Sequence, residues 1–396
     1  MKREMHMYLE RAIRCPKESF FLLGPRGTGK STWLRHQFPN AKRIDLLDER
    51  QRYQLMTSPG TFARQLQTVP VGAWVIVDEI QKMPDLLNEV HRFIEERQLK
   101  FALCGSSARK LRMAGVNLLA GRALSRSLYP FMPDELGSLF DLERVLSYGS
   151  LPVAWRSEEK EEKLSAYIMA YLKEEIQAEA RIRNLPGFAR FLVVAAILHG
   201  QAVNVSNIAR ECGISRPTIE GYLEILEQTL LCFRLNAYEG KLRLRERCHP
   251  KLFWIDPGLV RAAKQQLQPT IAAEERGHLF EGLVGTALMA YRDYRRSFDD
   301  LRYWASGAGS VEVDFLAIRG DQVVAVEAKS GAFFQESWCK GLRAFGTPPG
   351  TLRRIIVCPE ISGQCTPDGI EIVSFRDFAA MLHNNTFFQS TPGTGT

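Results

Sequence analysis

Short apolar runs separated by stretches of helical period organise the first third of the chain. FFLLG, KRIDLL, WVIVDEI and KFALCGSSA read as buried strands, while STWLRHQF and DLLNEVHRFIEERQ carry apolar residues at helical spacing. Strand and helix in alternation predict a parallel sheet covered on both faces. From about 136 to 235 the strand signals fade, and EEKLSAYIMAYLKEEIQAEARI and GFARFLVVAAILHG read as amphipathic or buried helices. From about 250 strands return in KLFWID, LRYWAS, VEVDFLAI, QVVAVEAK, RRIIVC and IEIVSF, with one helix, HLFEGLVGTALMAYRDY, among them. The tail STPGTGT reads as disordered. No internal repeat is present.

Composition narrows the class. The 396 residues are 45% hydrophobic and 24% charged, as expected of two or three globular domains with full cores. The formal net charge of +7 permits an acidic partner such as DNA without demanding one. No run of about 18 apolar residues is present, so no membrane span is expected. The start, MKREMHMYLERAIRCPKESF, is charged throughout and lacks the apolar stretch of a secretory signal. The eight cysteines are scattered with no C-x-x-C pair, which fits a reducing cytoplasm.

GPRGTGKS, between FFLL and TWLRHQF, has the spacing G-x-x-x-x-G-K-[ST]. Glycines let backbone N–H groups turn inward around phosphate oxygens, and a helix start adds its positive dipole end. The segment Gly24, Pro25, Arg26, Gly27, Thr28, Gly29, Lys30, Ser31 and Thr32 is therefore the expected triphosphate cradle. Lys30 would reach the outer phosphates, and the Ser31 hydroxyl would bind Mg²⁺. WVIVDEI ends a strand on Asp78 and Glu79, about 48 residues after Lys30. Asp78 would hold the Mg²⁺ shell, and Glu79 would polarise an attacking water. KFALCGSSARKL ends a strand on Ser106 and Ser107, either of which could bond the γ-phosphate or that water. Arg109 and Arg122 could offer a guanidinium to the transition state, in cis or from a neighbouring subunit.

Together with LLAGRALSRSLYPFMPDEL and the later KLFWIDPGLV, these stretches resemble a prokaryotic family of AAA+-type ATPases. In that family the ATPase precedes a C-terminal domain of uncharacterised function. The resemblance runs over nearly the whole chain. It implies ATP as the cofactor, assigns ATP binding and hydrolysis to Lys30, Asp78 and Glu79, and gives Ser106 the sensor role. It sets Arg122 in the family's GR element.

VSNIARECGISRPTIEGYLEILEQ has the internal spacing of a helix-turn-helix. Ala209 is small where two helices would touch, Gly213 allows the turn, Ile214 and Ile219 fill the shared core, and Ser215 is the expected N-cap. Its second helix presents Glu220, Glu224 and Glu227 beside Arg216, and carboxylates face phosphates poorly. The basic run KLRLRERCHPK (241–251) is the better candidate for a phosphate contact.

In VEVDFLAIRGDQVVAVEAKSG, two alternating runs flank a Gly320-Asp321 turn. Facing residues of such a hairpin sum to 641, so Asp314 would oppose Glu327, with Lys329 on the same side. Opposed carboxylates repel unless a cation lies between them, and Mg²⁺ or Mn²⁺ would serve. The arrangement resembles the PD-(D/E)XK nuclease core, in which Glu281 would be the acidic residue of the first helix and Lys329 the catalytic lysine. Asp256 reads as a turn-forming aspartate and His199 as a helix C-cap.

The expected architecture is α/β. A P-loop ATPase domain spans 1–135, a helical and winged-helix-like region 136–250, a nuclease-like α+β domain 251–385, and a disordered tail 386–396. The expected activity is Mg²⁺-dependent ATP hydrolysis coupled to a DNA-acting C-terminal domain, in a cytoplasmic homo-oligomer. The alternatives are an ATP-gated protein-binding switch or a DNA-remodelling motor.

Overall fold

A computed structural model describes residues 8–58, 60–106, 119, 121–178, 184–238, 249–306, 311–346 and 350–389. The described residues divide into two compact units.

One unit comprises Ile13–Tyr129 with Glu224–Leu231. Its elements are β1 (Phe20–Leu23), α1 (Lys30–Gln37), β2 (Lys42–Asp45), α2 (Glu49–Thr57), α3 (Gly60–Gln67), β3 (Trp74–Asp78), α4 (Leu86–Arg97), β4 (Lys100–Gly105) and β5 (Leu124–Ser127). The strands form one parallel sheet in the order β2-β3-β4-β1-β5. Helical spacing makes the helices amphipathic. In α4, Leu86, Leu87, Val90 and Phe93 are buried, and α3 adds Phe62 and Leu66 to the same core. Each such side chain contributes roughly 1.5–3 kcal/mol by leaving water. A cap sets the start of α2, where the Asp48 carboxylate accepts the N–H groups of Arg50 and Gln51. The strand β5, with sequence LSRS, has no apolar run. It joins the sheet only through its pairing with β1.

The other unit comprises the described residues of Met1–Ala12, Pro130–Leu223 and Cys232–Thr396. Its helical part holds α5 (Pro133–Leu136), α6 (Leu142–Tyr148), α7 (Pro152–Trp155), α8 (Lys160–Ala178), α9 (Leu185–Ile197), β6 (Gln201–Ala202), α10 (Val205–Cys212) and the start of α11 (Arg216–Gln228), whose residues from Glu224 onward are counted with the first unit. Then come β7 (Cys232–Leu235), β8 (Lys251–Trp254), α12 (Pro257–Ala263), α13 (Ala273–Arg295), β9 (Asp300–Ala305), β10 (Glu312–Arg319) and β11 (Gln322–Ala328). The chain continues through α14 (Lys340–Ala344), β12 (Leu352–Cys358), β13 (Gln364–Cys365), β14 (Ile370–Ser374) and α15 (Phe375–His383). β6, β8 and β7 make an antiparallel sheet, and a six-stranded mixed sheet runs β13-β14-β12-β11-β10-β9.

The two helices of the helix-turn-helix spacing are present. The carboxamide of Asn204 caps α10, and Gly213 ends it at φ 64 with the Ile214 N–H returning to the Ala209 carbonyl. Ile219 is buried, while Arg216 and Glu220 pair on the exposed side. Ser215 bonds the Thr218 hydroxyl through its own hydroxyl, and its carbonyl accepts the Thr218 and Ile219 N–H groups.

The hairpin register is the expected one. Pairs run from Arg319↔Gln322 to Phe315↔Val326, around a turn whose Gly320 has φ 59. Both strands are buried on both faces rather than on alternate residues, because helices cover each side of the sheet. Three further expectations are corrected. His199 caps no helix: it lies beyond the end of α9, fully buried, with its Nδ1 accepting the Trp254 N–H at 3.0 Å. Within the expected tail, Phe387 is buried against Phe378. Asp256 does more than turn the chain. It caps α12 at the Leu259 N–H and accepts the Ser150 N–H at 2.7 Å. Among the described residues, no helix is long and apolar enough to cross a membrane.

Candidate functional site

The order of the parallel strands brings the expected phosphate-site residues together. β4 lies between β1 and β3, so the carboxyl ends of all three open on one edge of the sheet. In open α/β sheets that edge is where ligands bind. There β1 delivers the loop from Gly24 to Gly29, β3 delivers Asp78 and Glu79, and β4 delivers Ser106.

The loop needs its glycines. A Cβ on Gly24 would stand 2.5 Å from the Leu128 carbonyl oxygen, whose residue bonds back to Leu23. Gly27 and Gly29 have φ of 76 and 88, and Gly29 leads directly into α1. Lys30 is buried, with its ammonium held by the carbonyls of Gly24 at 2.7 Å and Pro25 at 2.9 Å. The Thr28 hydroxyl donates to the Pro25 carbonyl at 2.9 Å. Ser31 is half-buried and Thr32 exposed at the first turn of the helix.

Glu79 is only 8% exposed, and its backbone sits in the left-handed region at φ 56. That conformation is unfavourable for a residue with a side chain and is held by its surroundings, including its own N–H bonded to Asp78 Oδ1 at 3.1 Å. Burial raises the Glu79 carboxyl above its ordinary value. The charge of Lys30 opposes this, Asp78 reinforces it, and Arg26 opposes it in turn. Gln81, which the sequence reading passed over, links two strand ends. Its amide nitrogen donates to Glu79 Oε2 and to Ser106 Oγ at 3.0 Å. Its only signal in the sequence is a polar side chain two places after an Asp-Glu strand end.

Arg122 lies apart from this group. Its Nε donates to Glu95 Oε1, and its side chain is 41% exposed. Ser107 and Arg109 lie outside the described residues, as do 241–248 of the basic run. The last residue of that run, Lys251, is described and is not placed for a phosphate contact. It heads β8, is 4% exposed and turns toward carboxylates.

The second candidate site gathers Glu281 from α13, Asp314 from β10 and Glu327 from β11, with Lys329 just beyond. Asp314 sits where the β9–β10 pairing shifts by one residue between Val313 and Leu316, a bulge that re-aims its side chain. Asp314 Oδ2 accepts the Ala328 N–H at 2.9 Å. Lys329 Nζ donates to Glu327 Oε1 at 2.6 Å. Lys251 Nζ lies 3.1 Å from Glu281 Oε1, 3.0 Å from Glu312 Oε1 and 3.8 Å from Asp314 Oδ1. Burial, followed by the charge of Asp314, raises the carboxyls of both Glu281 and Glu327. Lys251 offsets the first and Lys329 the second. Burial alone would lower the Lys251 ammonium, but Glu281, Asp314 and Glu312 outweigh it and hold the group protonated. Lys251 Nζ stands among the oxygens that the expected divalent metal would need. Among the described residues, no three His, Cys, Asp or Glu side chains converge closely enough to hold one.

Residues 16–137, which hold the glycine loop and the acidic end of β3, match the family model described as "AAA domain". Residues 139–270 match "Domain of unknown function (DUF8612)", and residues 276–378 match "Domain of unknown function (DUF4143)". An uncharacterised protein of Mycobacterium tuberculosis is 26% identical over 310 residues, 73% of this chain. That match spans 66% of the relative's own length. An uncharacterised protein of Haemophilus influenzae is 23% identical over 94% of this chain and 97% of its own. Among solved structures, the ORC1 protein of Aeropyrum pernix in complex with DNA aligns over 63% of this chain and 86% of its own, at 13% identity and a TM-score of 0.28.

Proposed function

We propose that the protein binds ATP at the Gly24–Thr32 loop and hydrolyses it with Mg²⁺. The observation that carries this reading is the convergence of Lys30, Asp78, Glu79 and Ser106 on one edge of a parallel sheet. Lys30 takes the outer phosphates in place of the loop carbonyls that now hold it. Mg²⁺ would supply neutralisation of the phosphate charge. The Ser31 hydroxyl and the Asp78 carboxylate, both hard oxygen donors, suit it. Glu79 orients and polarises the attacking water, its basicity raised by burial. Steady-state ATP turnover of the full chain tests the proposal. Lys30→Ala should reduce turnover by about 100-fold or more, since it removes charge stabilisation from the transferring phosphoryl group. Normal turnover by that variant would sink the reading.

We read the C-terminal part as a nuclease-like fold that serves as a scaffold, with ATP state gating a protein partner. Two observations favour this over DNA cutting. The lysine among its carboxylates stands where a metal would be needed, and the helix offered to DNA exposes Glu220 and Glu224. Full-length protein with Mn²⁺ and duplex, branched or single-stranded DNA should leave all three intact. Cleavage lost on Glu327→Ala would reverse the choice. Cytoplasmic residence and homo-oligomerisation complete the proposal. A trans role for Arg122 would require its release from Glu95.

A further inference from the structure

Lys251 is no surface lysine that has folded inward. Its backbone pairs with Ala202 on one side and Leu235 on the other, in the centre of a three-stranded sheet. Its ammonium passes over the Tyr303 ring, 5.6 Å from the centroid, and only 5% of the side chain is exposed. It ends among three carboxylates borne by two elements, α13 and β10. The remaining acceptors are spoken for on other sides: Asp314 Oδ2 by the Ala328 N–H, Glu327 Oε1 by Lys329. Glu327 Oε2 alone is buried without a hydrogen-bond partner. A divalent ion shared by Glu281, Asp314 and Glu327 would need oxygens about 2.0–2.6 Å away on every side. The Lys251 ammonium, already bonded to the first and close to the second, blocks that approach.

We infer that Lys251 is a built-in cation that takes the place a divalent metal would hold, so that the native chain balances its buried carboxylates without loading one. The inference deepens the scaffold reading above and rests on it. Four carboxylates, those of Glu281, Glu312, Asp314 and Glu327, share two ammonium groups, those of Lys251 and Lys329. Glu312 is half-exposed, but Glu281, Asp314 and Glu327 are not, and removing one cation from those three leaves charge uncompensated, which only another cation or local unfolding can relieve. The site is thus one substitution away from becoming a metal site.

The experiment is titration of nucleotide-free, full-length protein with Mn²⁺, followed by calorimetry and by the electron paramagnetic resonance of the free ion. Wild-type protein and Glu327→Gln should bind Mn²⁺ identically, with nothing lost on substitution. Lys251→Met should gain one Mn²⁺ per chain, and adding Asp314→Asn should remove that site. The unfolding midpoint of Lys251→Met should rise with Mn²⁺ concentration while that of the wild type stays flat. A wild-type Mn²⁺ site that Glu327→Gln abolishes overturns the inference, as does a folded Lys251→Met that gains no site. Should Lys251→Met fail to fold, the comparison of wild type with Glu327→Gln decides alone. Mn²⁺ binding by the wild type that Glu327→Gln abolishes, without DNA cleavage, defeats the Lys251 assignment only, whereas DNA cleavage by the wild type defeats the scaffold reading.

Discussion

The Gln81 amide nitrogen stands 3.0 Å from the Ser106 hydroxyl, tying the turn after β3 to the end of β4. The same nitrogen bonds the Glu79 carboxylate, so one side chain spans the two strand ends that face the loop. Gln81 is 7% exposed, and its Oε1 is buried beside Gly105, where a Cβ would come within 2.6 Å of it. The amide therefore has little freedom, and it lends that rigidity to Glu79.

A positioning role for Gln81 predicts a specific kinetic signature. Gln81→Ala should lower kcat for ATP roughly tenfold or more while leaving nucleotide affinity close to that of the wild type, because a displaced Glu79 misaims the water without touching the phosphates. Ser106→Ala should do the same, and the double variant should lose less than the product of the two. Independent, multiplicative losses would show that the link between them carries no function.

His199 gives the fold an acid sensitivity. Burial, then the nearby His278, depresses the imidazole to about 3. The folded protein thus holds fewer protons on this group than the unfolded chain, where the ordinary value is about 6.5. The stability this supplies is complete above about pH 6.5 and is lost as pH falls toward 3. Between pH 7 and pH 5 the loss amounts to about 2 kcal/mol. Urea unfolding of the wild type and of His199→Gln at both pH values measures it. The advantage of the wild type should shrink by about that amount at the lower pH. A difference independent of pH removes His199 as the source.

Gly282 lies in α13 against the same ring, and a Cβ there would stand 2.1 Å from His199 Nε2. In an open helix Gly→Ala stabilises by about 1 kcal/mol. Here the sign should reverse. Gly282→Ala should destabilise by roughly 1–3 kcal/mol, the usual penalty for forcing atoms into a packed site. Thermal unfolding checks it, and a higher midpoint for the variant would show that the ring can move aside.

Features encoded within a few consecutive residues were legible from the chain alone. The glycine loop after β1 is one contiguous stretch whose glycines and lysine act on their own backbone. The acidic end of β3 follows from four apolar residues and two carboxylates. The hairpin register also followed locally, since a two-residue turn at Gly320 dictates which residues face each other. The strand β5 escaped because LSRS is polar and depends on β1 for its place. Alternation misled for β10 and β11 because helices from distant sequence cover both of their faces.

Sequence by itself determined the glycine loop after β1, the acidic end of β3 and the hairpin that carries Asp314 and Glu327, because each is set by backbone geometry over short spans. Only the tertiary structure decided what stands between those groups. Gln81 meets Ser106 because β4 lies next to β3, and Lys251 meets Glu281 and Glu312 because β8 and β10 both pack against α13. Such meetings join residues 25 to 61 positions apart. Strand order and a one-residue bulge govern them, and neither leaves a mark on the pattern of apolar and polar residues.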